Sequence, residues 1–177
     1  MRNALLILPT VLVASCASMH QAKEEPMKVT IVERGAFSLI GIQTWIDPET
    51  ADHEGIFDNE YRPHADKARA VASEPGFYGA YFASRGPGQI GYMVGVAAPP
   101  GTPAPEGLMV LPIQAAQYAV FDFPRQDIGK AWDYIHGEWL PSSQQYSLAS
   151  SPVFEYYAKE NTTEARLAIW IPLRPKK

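Results

Sequence analysis

From Met27 onward the chain alternates short apolar runs of period two with longer stretches of period 3.6, the rhythms that separate pleated strands from amphipathic helices. Lys28 to Glu33 and Phe37 to Trp45 read as extended segments. The polar "DPET" that follows offers Asp47 as a cap and Pro48 at a first helical position, which predicts a short helical turn. After Pro63, "HADKARAVAS" is rich in Ala, Lys and Arg and predicts a helix that "EPG" at 74–76 stops. Two more strands, Phe77 to Ala83 and Gln89 to Ala97, flank "SRGPG", which predicts a hairpin. Four prolines and two glycines in the ten residues "APPGTPAPEG" leave too few donors for a ladder and too many breakers for a helix, so an exposed loop is expected.

The rhythm then starts again. From Leu108, "LMVLPIQAAQYAVFDFP" offers strand, small-residue turn and strand, as "MKVTIVERGAFSLIGIQ" does near the start. Ile128, Ala131, Trp132, Ile135 and Trp139 keep the i, i+3, i+4, i+7 spacing of a helix with one apolar face, and Pro141 is placed to end it. Glu138 lies beside that stripe and reads as a helix-end surface charge. The last strand sets Leu167, Ile169, Ile171 and Leu173 against Ala168, Trp170 and Pro172. The order strand, strand, helix, strand, strand occurs twice, so the predicted fold is α+β: two pseudo-repeated β-β-α-β-β units, an antiparallel sheet and a ligand groove between the halves.

One carboxylate interrupts a strand. In "SSPVFEYY", residues 150–157, period two places Val153, Glu155 and Tyr157 on one face and Phe154 with Tyr156 on the other. Two readings stay open. On a face turned to water, Glu155 is the kind of charge that edge strands carry against aggregation. On a face lining a cavity it is costly to desolvate and needs a donor, a cation or a proton. Tyr157 beside it can hold the carboxylate through its hydroxyl or stack on a flat or cationic ligand.

The chain has 177 residues, a net charge of -4 and 46% hydrophobic residues, which fits one soluble domain. Nineteen acidic against fifteen basic residues leave no basic excess for nucleic acid. His20, His53, His64 and His136 lie far apart without an HxxxH or CxxC companion, so no metal site is expected. There is no GxSxG elbow, and the glycines of "GPGQIGYMVG" belong to a hairpin rather than opening a helix, so no cofactor is expected either. "NTT" at 161–163 fits a glycosylation sequon by pattern only.

Upstream, Arg2 precedes an apolar stretch from Ala4 to Ala14, too short to span a bilayer comfortably, which reads as a secretory signal. "LVASC" resembles the lipobox of bacterial lipoproteins, and the chain's single cysteine, Cys16, stands where such proteins carry their lipid. That resemblance implies a signal peptide at 1–15, a polar tether at 16–26 and a domain at 27–177, held on the periplasmic side of the bacterial envelope. Ala17, where many inner-membrane lipoproteins have Asp, favours the outer membrane. With Cys16 modified, the mature domain has no thiol for a disulfide or a nucleophile.

"IGKAWDYIHGEWLPSSQQYSLASSPVFEYY", followed after a loop by "ARLAIWIPLRP", resembles the C-terminal half of GyrI-like small-molecule-binding domains, which also serve as effector-binding modules of AraC-type and MerR-type regulators. The shared pattern is a Trp-bearing helix, Trp-Leu-Pro, a Phe-Glu-X-Tyr strand and an alternating strand ending in Ile-Pro. It runs from about Leu108 to Pro175. From Met27 to Ala97 the likeness is approximate, and "DHEGIFDNEYRPHADKAR" stands where the family has a Trp-bearing helix. The resemblance implies that Glu155 is an inward-facing pocket acid with Tyr157 as its aromatic neighbour. Trp132 matches a family helix position, although its place in the apolar stripe equally suits the core. Tyr92 and Tyr81 are candidates to line the groove from the first half, and ordinary sheet packing accounts for them equally well. The function this implies is a lipid-anchored envelope protein that binds a small amphipathic or cationic organic molecule. The alternatives are a hydrolase of reactive cyclopropane-type electrophiles, with Glu155 assisting the water or the leaving group, and an envelope protein-interaction module using the proline-rich loop.

Overall fold

The computed structural model describes residues 27–158 and 166–176. The expected signal peptide, Cys16, the tether, His20 and the 161–163 sequon lie outside the described residues. Among the described residues nine strands form one sheet: β1 (Lys28–Arg34), β2 (Phe37–Ile46), β3 (Phe77–Gly86), β4 (Gln89–Ala98), β5 (Met109–Ile113), β6 (Ala116–Pro124), β7 (Tyr146–Leu148), β8 (Val153–Tyr157) and β9 (Arg166–Pro175). All pairings are antiparallel, in the order β1-β6-β9-β8-β3-β4-β2-β5, with β7 added on β9. The alternating strands and the strand-strand-helix-strand-strand order are those the sequence predicts, except that the second unit carries one further short strand, β7, that the pattern does not predict.

The halves exchange their first strands. β1 pairs with β6 of the second unit, and β5 pairs with β2 of the first. This exchange forces the sheet to curl. In a flat sheet β1 and β2 would lie six strand spacings apart, about 29 Å. Only Gly35 and Ala36 connect them, a reach of about 11 Å at most. Gln114 and Ala115 impose the same closure on β5 and β6. The rolled sheet encloses one core of Phe37, Leu39, Tyr78, Met93, Tyr118 and Phe154. Two helical stretches cover the outer face.

The first stretch differs from expectation. It begins at His53 with a single α-turn to Gly55, continues as a π-helix over Ile56–Tyr61 and a 3-10 turn over Arg62–His64, and ends as the α-helix Ala65–Arg69. "DPET" is a hydrogen-bonded turn instead, in which the Glu49 amide donates to Asp47 Oδ1 at 3.0 Å. The cap belongs to Asp52, whose Oδ1 accepts from the Gly55 amide at 2.8 Å. Pro63 does not break the path, because it falls in the first positions of a new turn, where its missing N–H costs nothing. Tyr61, Ala65 and Ala68 pack this stretch on Ile40, Val94 and Val96.

The second stretch runs from Arg125–Asp127 through the α-helix Ile128–Tyr134 and a π-helix at Ile135–Trp139 to Leu140–Ser142. Pro141 sits inside the last turn rather than ending the helix before it, and the Ser143 amide closes that turn on Trp139 O at 3.0 Å. Ala131 and Ile135 are fully buried against Phe121, Ile169 and Ile171, as the stripe predicts. Met109 to Ile113 forms the fifth strand after the proline-rich stretch, which is a loop. The β3–β4 hairpin turns at Pro87 and Gly88, where Gly88 adopts φ +70°, a conformation that favours glycine.

Candidate ligand-binding site

The centre of the sheet is the β3·β8 pair, with Glu155 opposite Gly79. Glu155 faces outward, into the gap between the two helical stretches, and is only 3% exposed. That disposes of the water-facing reading. Nor is β8 an edge, since β3 and β9 flank it. Three neutral groups hold the carboxylate. Trp132 Nε1 donates to Oε1 at 3.0 Å, the Tyr81 hydroxyl donates to Oε1 at 3.4 Å, and the Tyr157 hydroxyl donates to Oε2 at 2.6 Å. None of the ion pairs among the described residues involves Glu155.

Each donor has a local origin. Trp132 comes from the apolar stripe of the second stretch: its ring packs on the core, as the stripe predicts, and its N–H reaches the acid. Tyr157 shares the face of Glu155 through the two-residue period of the strand. Tyr81 lies on β3, opposite Val153. The hydroxyls of Tyr81, Tyr92 and Tyr157 are pushed well above the ordinary phenol range, first by burial and then by the negative charge of Glu155. They therefore remain donors. Gly79 leaves room for this cluster, because a Cβ there would come within 2.8 Å of the Tyr92 hydroxyl.

In front of the carboxylate lies a cleft of about 180 Å³. Tyr92 and Tyr157 form part of its wall, with His53 and Phe57 from the first helical stretch, Phe77 from β3, and Arg125 from the turn that opens the second stretch. Glu155 and Trp132 stand behind that wall rather than on it. Phe77 stacks on Tyr157 with centroids 4.6 Å apart and planes 2° from parallel, and Phe57 packs on Phe77 at 4.7 Å with planes tilted by 35°. His53 meets Tyr92 edge-on at 5.0 Å, and its Nε2 is 3.2 Å from the Tyr81 hydroxyl. Glu138 is exposed, as its place at the helix end predicts.

The structure thus brings Glu155, Tyr157, Trp132, Tyr81 and Tyr92 to one place. Sequence reasoning missed His53, Phe57, Phe77 and Arg125. His53 was weighed only as a metal ligand, and no cluster of metal-binding side chains occurs among the described residues. Periodicity gives Phe77 as a strand residue but cannot say that the strand's end borders a cleft.

A rolled antiparallel sheet with two outer helical stretches and a ring-lined cleft at its midline defines a duplicated α+β domain of the small-molecule-binding kind. The chain belongs to the GyrI-like small molecule binding domain family, whose profile matches residues 27–174. Solved structures share the fold. A protein from Staphylococcus aureus MU50, described as a bacterial transcription regulation protein, is 18% identical and superposes with a TM-score of 0.67 over 84% of this chain and 99% of its own. The SAV2435 protein, solved bound to tetraphenylphosphonium, is 17% identical with a TM-score of 0.69, covering 84% of this chain and 94% of that one. The C-terminal domain of EcmrR is 12% identical with a TM-score of 0.58 over 84% and 98% of the two chains. No curated protein matches the sequence.

Proposed function

We propose that the chain binds a small amphipathic organic cation in the cleft between its halves, with Glu155 as the counter-charge. One observation carries this reading: a carboxylate 3% exposed, held by three neutral donors and by no ion pair among the described residues. Burying a charge without a partner is costly, and a cation on the far side of Tyr157 offsets that cost when it binds. Three donors already occupy most of the carboxylate's acceptor sites, so the ligand's charge needs no N–H group. The cleft surrounds it with aromatic faces, which attract cations through their quadrupoles. A cation without N–H donors, such as the tetraphenylphosphonium bound to SAV2435, meets these requirements. At about 180 Å³ the cleft is smaller than the roughly 300 Å³ or more of drug-sized sites, so a ligand of that size binds by parting the rings of Phe57, Phe77 and Tyr157.

The lipobox-like "LVASC" adds a location to this proposal: the envelope, with the domain tethered through a lipid on Cys16. Calorimetric titration with tetraphenylphosphonium tests the binding. Saturable binding that Glu155→Gln weakens by roughly 1 to 3 kcal/mol is expected, the range for a charge-assisted contact. Equal affinity in both proteins sinks the role of Glu155. Cell fractionation tests the anchor: Cys16→Ser moves the protein from the membrane to the soluble fraction, and an unchanged membrane fraction removes the lipid from the proposal.

A further inference from the structure

We infer that His53 sets the charge of the cleft, so that cation binding is coupled to loss of a proton from its imidazole; the inference rests on reading the cleft as a cation site. His53 opens the first helical stretch and forms part of the cleft wall. Its Nε2 lies 3.2 Å from the Tyr81 hydroxyl, and that hydroxyl lies 3.4 Å from Glu155 Oε1. Tyr81 therefore has one proton and two acceptors within reach. When the imidazole is neutral with Nε2 bare, it competes with Glu155 for that proton. An imidazolium carries N–H on both nitrogens, so Nε2 donates to Tyr81 and Tyr81 donates to Glu155, which orients the whole chain toward the acid.

The two states present different charges to a ligand. With imidazolium in the wall, the cleft pairs a positive ring with the carboxylate behind Tyr81, and an organic cation gains little. With neutral imidazole, the ring's positive charge is gone, while the other charged groups of the wall, Glu54, Asp58 and Arg125, are the same in both states. Histidine is the side chain that ordinarily changes charge between about pH 5 and 8. The groups around it are Tyr81 and Tyr92 from the sheet, Glu155 and Tyr157 from β8, and Arg125 across the cleft. On its own stretch Asp52 caps the Gly55 amide, Glu54 borders the cleft and Asp58 pairs with Arg62. His136, stacked on Trp132 with centroids 5.5 Å apart, is a second histidine near the acid and serves as the control.

Linkage makes the coupling reciprocal: whatever factor acidification removes from cation affinity, a bound cation removes from proton affinity. The test uses the full chain and tetraphenylphosphonium. Wild type is expected to bind about tenfold more weakly at about pH 5 than at about pH 8, the factor that one pKa unit represents. His53→Gln is expected to flatten that dependence, and His136→Gln to keep it. Equal wild-type affinity at the two pH values overturns the inference, as does a dependence that survives His53→Gln. A ligand-free arm follows the His53 ring by NMR through a pH titration. Glu155→Gln and Tyr81→Phe should each lower its midpoint, while an unchanged midpoint in both overturns the coupling. If no cation binds at either pH and those midpoints still move, the proton coupling stands and the cation-site reading alone fails.

Discussion

The two faces of the sheet each carry a charge among aromatic rings, and they treat it differently. Inside the rolled sheet, the Arg34 guanidinium lies 4.1 Å from the centroid of Phe37, 5.1 Å from Trp170 and 5.3 Å from Tyr78. It pairs with Glu74, which also accepts the Tyr78 hydroxyl at 2.6 Å. On the outer face Glu155 accepts from one indole N–H and two hydroxyls but has no opposite charge to match it among the described ion pairs. The inner charge is neutralised by the fold itself. The outer one is met by neutral donors, Trp132, Tyr81 and Tyr157. That asymmetry is the ground for the proposed role of Glu155.

The largest effect expected is at alkaline pH, and it divides between the same two regions. Tyr78 and Tyr118 inside, and Tyr81, Tyr92 and Tyr157 outside, all have hydroxyls raised above the ordinary value by burial, Tyr118 to about 12. The folded chain keeps protons that the unfolded chain gives up near pH 10. Stability is therefore full below about pH 10 and falls as pH rises above it, by about 1.4 kcal/mol per pH unit for each such tyrosine. Urea unfolding at increasing pH should show a loss of several kcal/mol. Glu155→Gln should ease the outer tyrosines alone, because negative charge is the second cause of their shift and no part of that of Tyr118. Flat stability to pH 11 would contradict the burial of all five.

Next in size is the inner plug. Arg34→Ala removes three ring contacts and the partner of Glu74, with an expected loss of about 2 kcal/mol in urea midpoint analysis. The value is held down because the Glu74 side chain is 37% exposed and water screens the pair. A loss under about 0.5 kcal/mol would mean that the rolled sheet closes without this contact. Smaller still are the outer donors. Oε2 of Glu155 accepts only from Tyr157 among the described hydrogen bonds, whereas Oε1 accepts from both Trp132 and Tyr81. Tyr157→Phe should therefore cost more, about 1.5 kcal/mol, than Trp132→Phe, about 1 kcal/mol. The reverse order would show that Oε1 carries the charge.

Much of this was legible in local pattern. The two-residue period alone puts Glu155 and Tyr157 on one face, and the helical stripe alone places Trp132 on a buried side. Tyr92 and Tyr81 are visible as strand residues but indistinguishable from sheet packing, because their role depends on Gly79 admitting the Tyr92 ring beside Glu155. The strand exchange of β1 with β5 leaves no local trace, since partners such as Lys28 and Asp122 are far apart in the chain. His53 and Phe57 were missed for a different reason. Their stretch is built from short α, π and 3-10 turns, so the apolar residues keep no steady 3.6 period.

The smallest expected change tests the comparison most sharply, because its sign matters more than its size. If Glu155 were a structural acid like Glu74, neutralising it would destabilise the fold. Glu155→Gln keeps a carbonyl oxygen for Trp132 Nε1 and the Tyr81 hydroxyl. Its amide N–H replaces Oε2, and the Tyr157 hydroxyl can accept where it now donates. No hydrogen bond is lost, while the desolvation cost of a buried charge disappears. The variant should therefore equal wild type or exceed it by up to about 1 kcal/mol in urea unfolding near pH 7, in the absence of ligand. A clear loss of stability would show that the fold itself relies on the charge, and the outer face would then resemble the inner one.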